Sequence, residues 1–293
     1  MSMGVVAQLF VDGLAMGLVY VLLASGFNLI VDISGVLFIA YGQFYMIGAY
    51  ALYVLKVMLG VPFFVSLVIA TIVSAVLGGA IYRLVFHRIR AMDRQFLNGI
   101  VAAVGFMLLI GQAVLLVFGT ASRGVGTAFR GMLKAGGVNL SVEKLVLILL
   151  GVAVLLGLHL VLQKTNVGRA MRAVSFNPDV SELQGISSDR VYMLAMAIGC
   201  GLAGFSGGVM APIFAVFPEM GSIALLILLV VMLGGIGSMP GAILAGLILG
   251  TTLSFGQYFL GAGLAQILFF AVVGIILFVR PGGLLGEDTE IQI

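Results

Sequence analysis

Charge is what this sequence has least of. Its 293 residues hold 14 Lys+Arg and 11 Asp+Glu, 9% of the chain, where a soluble domain carries roughly a quarter. A 62% apolar chain with so few charges cannot cover a folded core with polar groups. A soluble enzyme, a disordered chain and a secreted disulfide scaffold are excluded. Tryptophan is absent, so any interfacial belt must come from Tyr and Phe. The single cysteine, Cys200, lies in an apolar run and leaves no partner for a disulfide within the chain. The two histidines, His87 and His159, sit at the ends of different apolar runs with no carboxylate near them in sequence, so neither reads as a catalytic or metal site. Met1-Ser2-Met3-Gly4 has no basic n-region, and neither a cleaved signal peptide nor myristoylation is expected.

What is there is a series of long charge-free runs. They cover 13–31, 33–55, 57–82, 95–122, 145–163, 191–218 and 220–279. A helix needs about 20 apolar residues to cross the hydrocarbon core. The first six runs each fit one span, and the last fits up to three, with breaks at Gly234–Gly241 and around Gly261–Gly263. The fold class is therefore all-α, a polytopic integral membrane protein of about eight to nine transmembrane helices. The tightness of the last run predicts one short or re-entrant segment. Residues 1–293 read as a single transmembrane domain.

Three stretches are polar enough to be loops. Residues 83–94 hold Arg83, Arg88, Arg90 and Arg94 against Asp93. Residues 164–190 hold Lys164, Arg169, Arg172 and Arg190 against Asp179, Glu182 and Asp189. Within 119–144, Arg123, Arg130, Lys134 and Lys144 face Glu143. The first two are two spans apart and share a side. Placing them inside satisfies the positive-inside rule, which puts 119–144 and the N-terminus in the periplasm and the C-terminus in the cytoplasm. The same bias accounts for the formal charge of +3, so no nucleic-acid partner is implied.

The span interiors are as informative as the loops. Asp12, Asp32 and Glu219 fall near span ends, and the interiors offer only Asn28, Tyr41, Gln43, Gln112, Gln257 and Gln266. Proton- or sodium-coupled carriers need ionisable groups deep in the bilayer, and this chain lacks them. Gly235-x-Gly237-x-x-Pro240-Gly241 has no following Lys-Ser/Thr, so it is not a P-loop. The chain is not an ATPase or another enzyme; it has no catalytic or metal site and binds no cofactor. Two readings stand: a transport subunit energised by a separate partner, or an ATP-independent channel or facilitator for a small neutral solute.

Small-xxx-small pairs at Gly13/Gly17, Gly204/Gly208, Gly237/Gly241 and Gly246/Gly250 predict close helix packing without marking a dimer face. The 164–190 loop is patterned. Gly168–Val174 reads as a short amphipathic helix with Arg169 and Arg172 on one face. Asn177-Pro178-Asp179 punctuates it, and Val180–Gly185 forms a second helical piece with Gly185 as its C-terminal cap. Such a loop suits either a solvated linker touching lipid or a rigid docking element for a cytosolic partner.

Gly168-Arg-Ala-Met-Arg-Ala173, Gly185-Ile186 and Asp189-Arg-Val191 closely resemble the cytoplasmic loop of branched-chain amino acid ABC permeases of the LivH type. So do Leu233–Ala242, Leu116–Thr120, Arg280–Gly286, and Gly17–Tyr20 with Leu23–Ile30. The resemblance implies an ABC importer permease of the bacterial inner membrane. It implies a second homologous permease of the LivM type, two cytosolic ATPase subunits that use ATP and Mg, and a periplasmic substrate-binding protein. Arg169, Arg172, Asn177, Asp179, Glu182 and Gly185 would then couple to the ATPase. One segment departs from the family pattern. Where the family usually has Asn-Phe-Ala-His-Gly-Glu, this chain has Phe38-Ile-Ala-Tyr-Gly-Gln43. Likewise Tyr82-Arg83 stands for Glu-Arg, and Ile89 for a proline. Tyr41, Gln43 and Tyr45 are expected to face the substrate pathway or the partner permease, with interhelical hydrogen bonding by Tyr41 and Gln43 as the alternative. The resemblance implies a branched-chain amino acid or a related small polar solute as substrate; related importers take urea, short amides or organic acids, and the altered Tyr41 and Gln43 positions leave the choice among these open.

Overall fold

The structure, a computed structural model, describes residues 3–90, 92, 95–127, 131–135, 138–280 and 282–285. Asp93, Arg94, Arg130 and Gly286, named above, lie outside the described residues, as do the side chains of the hairpin that carries Lys134.

Among the described residues, nine helical segments occupy the predicted spans. Helix α1 is Met3–Ser34. Helix α2, Tyr41–Tyr53, continues through a π-helical turn, Val54–Met58. Helix α3, Phe63–Ile81, continues through a second π-helical turn, Tyr82–Phe86, into the short α4, His87–Ile89. Then come α5, Gln95–Phe118, and α6, Val142–Lys164. Two short helices, α7 (Asn166–Phe176) and α8 (Pro178–Leu183), precede α9, Ser188–Met210. A 3₁₀ turn, Pro218–Ser222, leads into α10, Ile223–Gly234. Helices α11, Met239–Leu260, and α12, Ala262–Val279, follow. Among the described residues, six stretches are long and apolar enough to cross a membrane, and one of these, Met239–Val279, contains both α11 and α12. The short segment expected in the last run is Pro218–Gly234.

Three details differ from the sequence expectation. The 119–144 segment contains a two-stranded antiparallel hairpin, β1 (Met132–Ala135) with β2 (Val138–Ser141), within an otherwise helical chain. Helix α1 does not begin after Asp12 but runs through it, because Lys144 lies 2.7 Å away and pairs with the carboxylate. Helix α3 passes Arg83 and extends to His87–Ile89, so an exposed arginine at a helix end does not stop the helix.

The contacts group the chain into two compact units. The first comprises Met1–Asn28, Thr127–Val152 and Leu226–Ile293. Here two of the predicted glycine pairs meet each other: a methyl group on Gly17 would come within 3.0 Å of Gly246 O and Leu247 Cα, and one on Gly13 within 2.7 Å of Thr251 Cα. Helices in lipid associate by packing alone, and a seam without side chains lets backbones approach. Ser254 Oγ donates to Leu9 O across this seam at 2.8 Å, and the Tyr20 and Phe269 rings meet edge to face at 6.3 Å.

The second unit comprises Leu29–Gly126 and Ala153–Leu225. Its centre is α9, most of whose residues are buried, whereas few residues of α5 are buried. Helices α2 and α3 pack on α9: a methyl on Gly48 would strike the Gly204 backbone, and one on Gly78 would lie 2.5 Å from Cys200 Cβ. The expected breaks also appear. Gly235, Gly237 and Gly261 all have positive φ, a conformation that side chains resist and glycine does not.

Candidate functional site

Tyr41, Gln43 and Tyr45 stand at the start of α2, all buried. A helical period of 3.6 puts Tyr41 and Tyr45 on one face and Gln43 on the other. The backbone of Tyr45 meets Gly207 of α9, and Tyr41, one turn earlier, shares that face of α2. Those two therefore belong to the α2–α9 contact. Gln43, only 7% exposed, points elsewhere. Its amide lies 2.5 Å from where a Cβ on Gly221 would be, and 3.8 Å from where one on Gly111 would be. Two glycines, in the 3₁₀ turn and in α5, leave the space this side chain fills. Its Oε1 is buried without a hydrogen-bond partner among the described residues.

The segment after α6 is built as expected, with caps that the sequence displays. Thr165 Oγ1 accepts from Gly168 N at 3.2 Å and caps α7. Asn177 Oδ1 accepts from Val180 N at 3.1 Å and caps α8, with Pro178 at its first turn. Such caps satisfy the orphan donors of a helix start. Gly185 has φ +83 and closes α8, its N–H bonding Glu182 O at 3.0 Å. The corner between α6 and α7 is tight: a methyl on Gly168 would lie 2.6 Å from Leu162 Cα.

Of the residues chosen for docking, Arg169, Asn177, Asp179, Glu182 and Gly185 are exposed. Arg169 donates to Asn166 Oδ1. Arg172 is exposed as well, but its guanidinium donates to Leu162 O at the end of α6, so it braces the corner. Ser175 Oγ donates to Asp32 O at 3.1 Å, and Ser188 Oγ to Pro178 O at 3.3 Å. Both bonds hold the pair of short helices in place. The residues that reasoning from charge missed are apolar. Phe176 is 94% exposed and Leu183 88%, one at the end of each short helix. The signal was available: both fall off the buried Gly168–Met171–Val174 stripe or its continuation, and a large apolar residue on a polar face needs a reason.

His87 is the second departure from expectation. It lacks a carboxylate nearby in sequence but has one in space. Its Nδ1 lies 2.6 Å from Asp189 Oδ1, across 102 residues of chain, and Tyr82 OH donates to the same oxygen at 2.9 Å. This bond pair joins the end of α3 to the first turn of α9. Arg90 stacks beside it, its guanidinium carbon 3.5 Å from the Tyr192 ring centroid.

The family described as "Branched-chain amino acid transport system / permease component" matches residues 9–279. The chain belongs to this permease family. It is 30% identical to the high-affinity branched-chain amino acid transport system permease protein BraD of Pseudomonas aeruginosa, over 96% of this chain and 95% of that one. It is 28% identical to LivH of Escherichia coli over the same shares. To LivM of Salmonella typhimurium it is 28% identical, over 94% of this chain and 69% of that protein. The solved structure of PsaBC from Streptococcus pneumoniae in complex with Fab aligns over 92% of this chain and 91% of that one, with a TM-score of 0.52 at 12% identity, a likeness of fold. Family membership and the apolar helices make this a multi-pass membrane permease component.

Proposed function

We propose that the chain is one permease subunit of an ATP-driven importer for a branched-chain amino acid or a related small polar solute. In this reading a periplasmic protein delivers the solute, a second permease of the LivM type completes the pathway, and two ATPases in the cytosol supply energy. The N-terminus is periplasmic, and α7–α8 faces the cytosol. The observation that carries the reading is the α7–α8 element. It is capped at both starts, braced at three points, and presents Phe176 and Leu183 to solvent. Exposed apolar residues on a segment that also exposes Arg169, Asp179 and Glu182 suit a partner surface with an apolar core and a polar rim. Rigid-body motion of such an element is how a docked motor rocks a transporter between inward- and outward-open states.

Within the pathway, Gln43 is the residue of choice. An unpaired carbonyl buried among glycines offers an acceptor to a solute's N–H, where the family's usual glutamate would offer a charge. Tyr41 and Tyr45 support it by fixing α2 on α9.

Phe176→Asp tests the docking. The variant inserts at wild-type level, loses co-purifying ATPase by about tenfold, as expected for one apolar anchor, and loses ATP-dependent uptake. Unchanged ATPase retention with unchanged uptake would refute the docking role. Uptake that persists after ATPase depletion would favour the facilitator.

A further inference from the structure

One cavity in the second unit is unrelated to Gln43 and to α7–α8. It is a partly open cavity of about 260 Å³, lined by Val36, Phe86, Ile89, Arg90, Phe96 and Gly99 together with Ser34 and Gly35. Four of these are large and apolar, and one is a cation. Ser34 adds no free donor, because its hydroxyl already bonds Ile30 O at 2.7 Å.

One face of the Arg90 guanidinium covers Tyr192, and its Nη1 is buried with no hydrogen-bond partner among the described residues, a state Arg123 Nε shares outside this cavity. A buried donor on a charged group is costly unless something accepts from it. The atom therefore calls for an anionic acceptor, and the guanidinium fork suits the oxygens of a phosphate. The surroundings specify what the acceptor is attached to. Phe96, a wall of the cavity, is 65% exposed. Beyond it on α5, Leu97, Val101 and Leu108 are exposed at i, i+4 and i+11, a stripe with the helical period. This outer face has the character of a lipid-facing surface. Arg83, His87 and Arg88 are exposed close by in the chain and mark the level at which the apolar helices give way to headgroups.

We infer that this cavity is a binding site for an anionic phospholipid, its phosphodiester on Arg90 and its acyl chain along α5. Basic pockets between transmembrane helices hold anionic headgroups in this way. Because Arg90 rests on Tyr192 and Tyr82 ties Asp189, the lipid braces the junction of α3 with the start of α9.

The test uses the full-length protein, with any partners that co-purify, extracted in mild detergent. Native mass spectrometry reads retention of added phosphatidylglycerol against phosphatidylcholine of the same chains. Wild type retains the anionic lipid about fivefold more strongly, the factor expected for one arginine at an anionic surface. R90Q abolishes that preference, and R88Q keeps it. Gly99→Leu fills the cavity from the opposite wall and leaves Arg90 in place. A Cβ there meets nothing nearer than Val36 Cγ1 at 3.8 Å, so the chain folds and the preference is lost. This second variant decides the matter if R90Q is unstable. Equal retention of both lipids by wild type, or retained preference in Gly99→Leu, overturns the proposal. So does displacement of the bound species by millimolar inorganic phosphate, which would make the ligand a soluble phosphate.

Discussion

Asn28 and Gln43 are both carboxamides on buried helix faces, one in each unit, and their surroundings differ. Asn28, 3% exposed, accepts from the Gly237 N–H at 2.6 Å. It thereby holds the glycine turn between α10 and α11, which the chain end also grips through Leu284 N to Leu233 O at 2.7 Å. Gln43 ends among glycines with its carbonyl oxygen unmatched. A satisfied buried amide specifies a structure, whereas an unsatisfied one is a cost that structure alone does not explain. The contrast separates a residue that keeps the fold from one whose acceptor the fold leaves open.

The strongest way to break that contrast is Asn28→Ala. It removes the acceptor that holds the Gly237 N–H of the glycine turn and should lower stability by about 0.5–1.5 kcal/mol, read by thermal or denaturant unfolding in detergent. Asn28→Asp, which keeps an acceptor, should recover part of it. Next comes Gln43→Leu. Exchanging an unpaired amide for an apolar group of similar size should leave stability unchanged or slightly raised. Uptake should fall about tenfold, the factor for one lost hydrogen bond of about 1.4 kcal/mol. If Gln43→Leu destabilises as much as Asn28→Ala and spares uptake, the two amides have the same job. The smallest effect belongs to Lys144→Met. Its partner Asp12 is 2.7 Å away, yet both side chains are 29% exposed. The pair is worth about 0–1 kcal/mol, which salt titration of the unfolding midpoint would confirm by its flatness in the variant.

The degree to which each feature was legible follows from how local its cause is. The two helices of the 166–183 segment were readable because their caps, Thr165 and Asn177, act within three residues. The breaks at Gly235–Gly237 and Gly261 were readable because positive φ is a property of the residue itself. The glycine pairs announced close packing, but only the folded chain matches Gly13 and Gly17 with Gly246 and Thr251. His87 looked solitary because its partner, Asp189, is 102 residues distant. Gln43 was singled out for departing from a family pattern, yet its pocket depends on Gly111 and Gly221, which no local rule connects to it. Phe176 and Leu183 were passed over because charge, scarce everywhere else, drew attention to their neighbours.

The corner at Thr165 has a mechanical consequence. Helix α6 ends at Lys164 and α7 begins at Asn166, so one residue separates them, and Arg172 reaches back to clasp the Leu162 carbonyl. No slack is available there to absorb a push. A force applied at Phe176 must turn the end of α6 with it, as a crank turns its shaft.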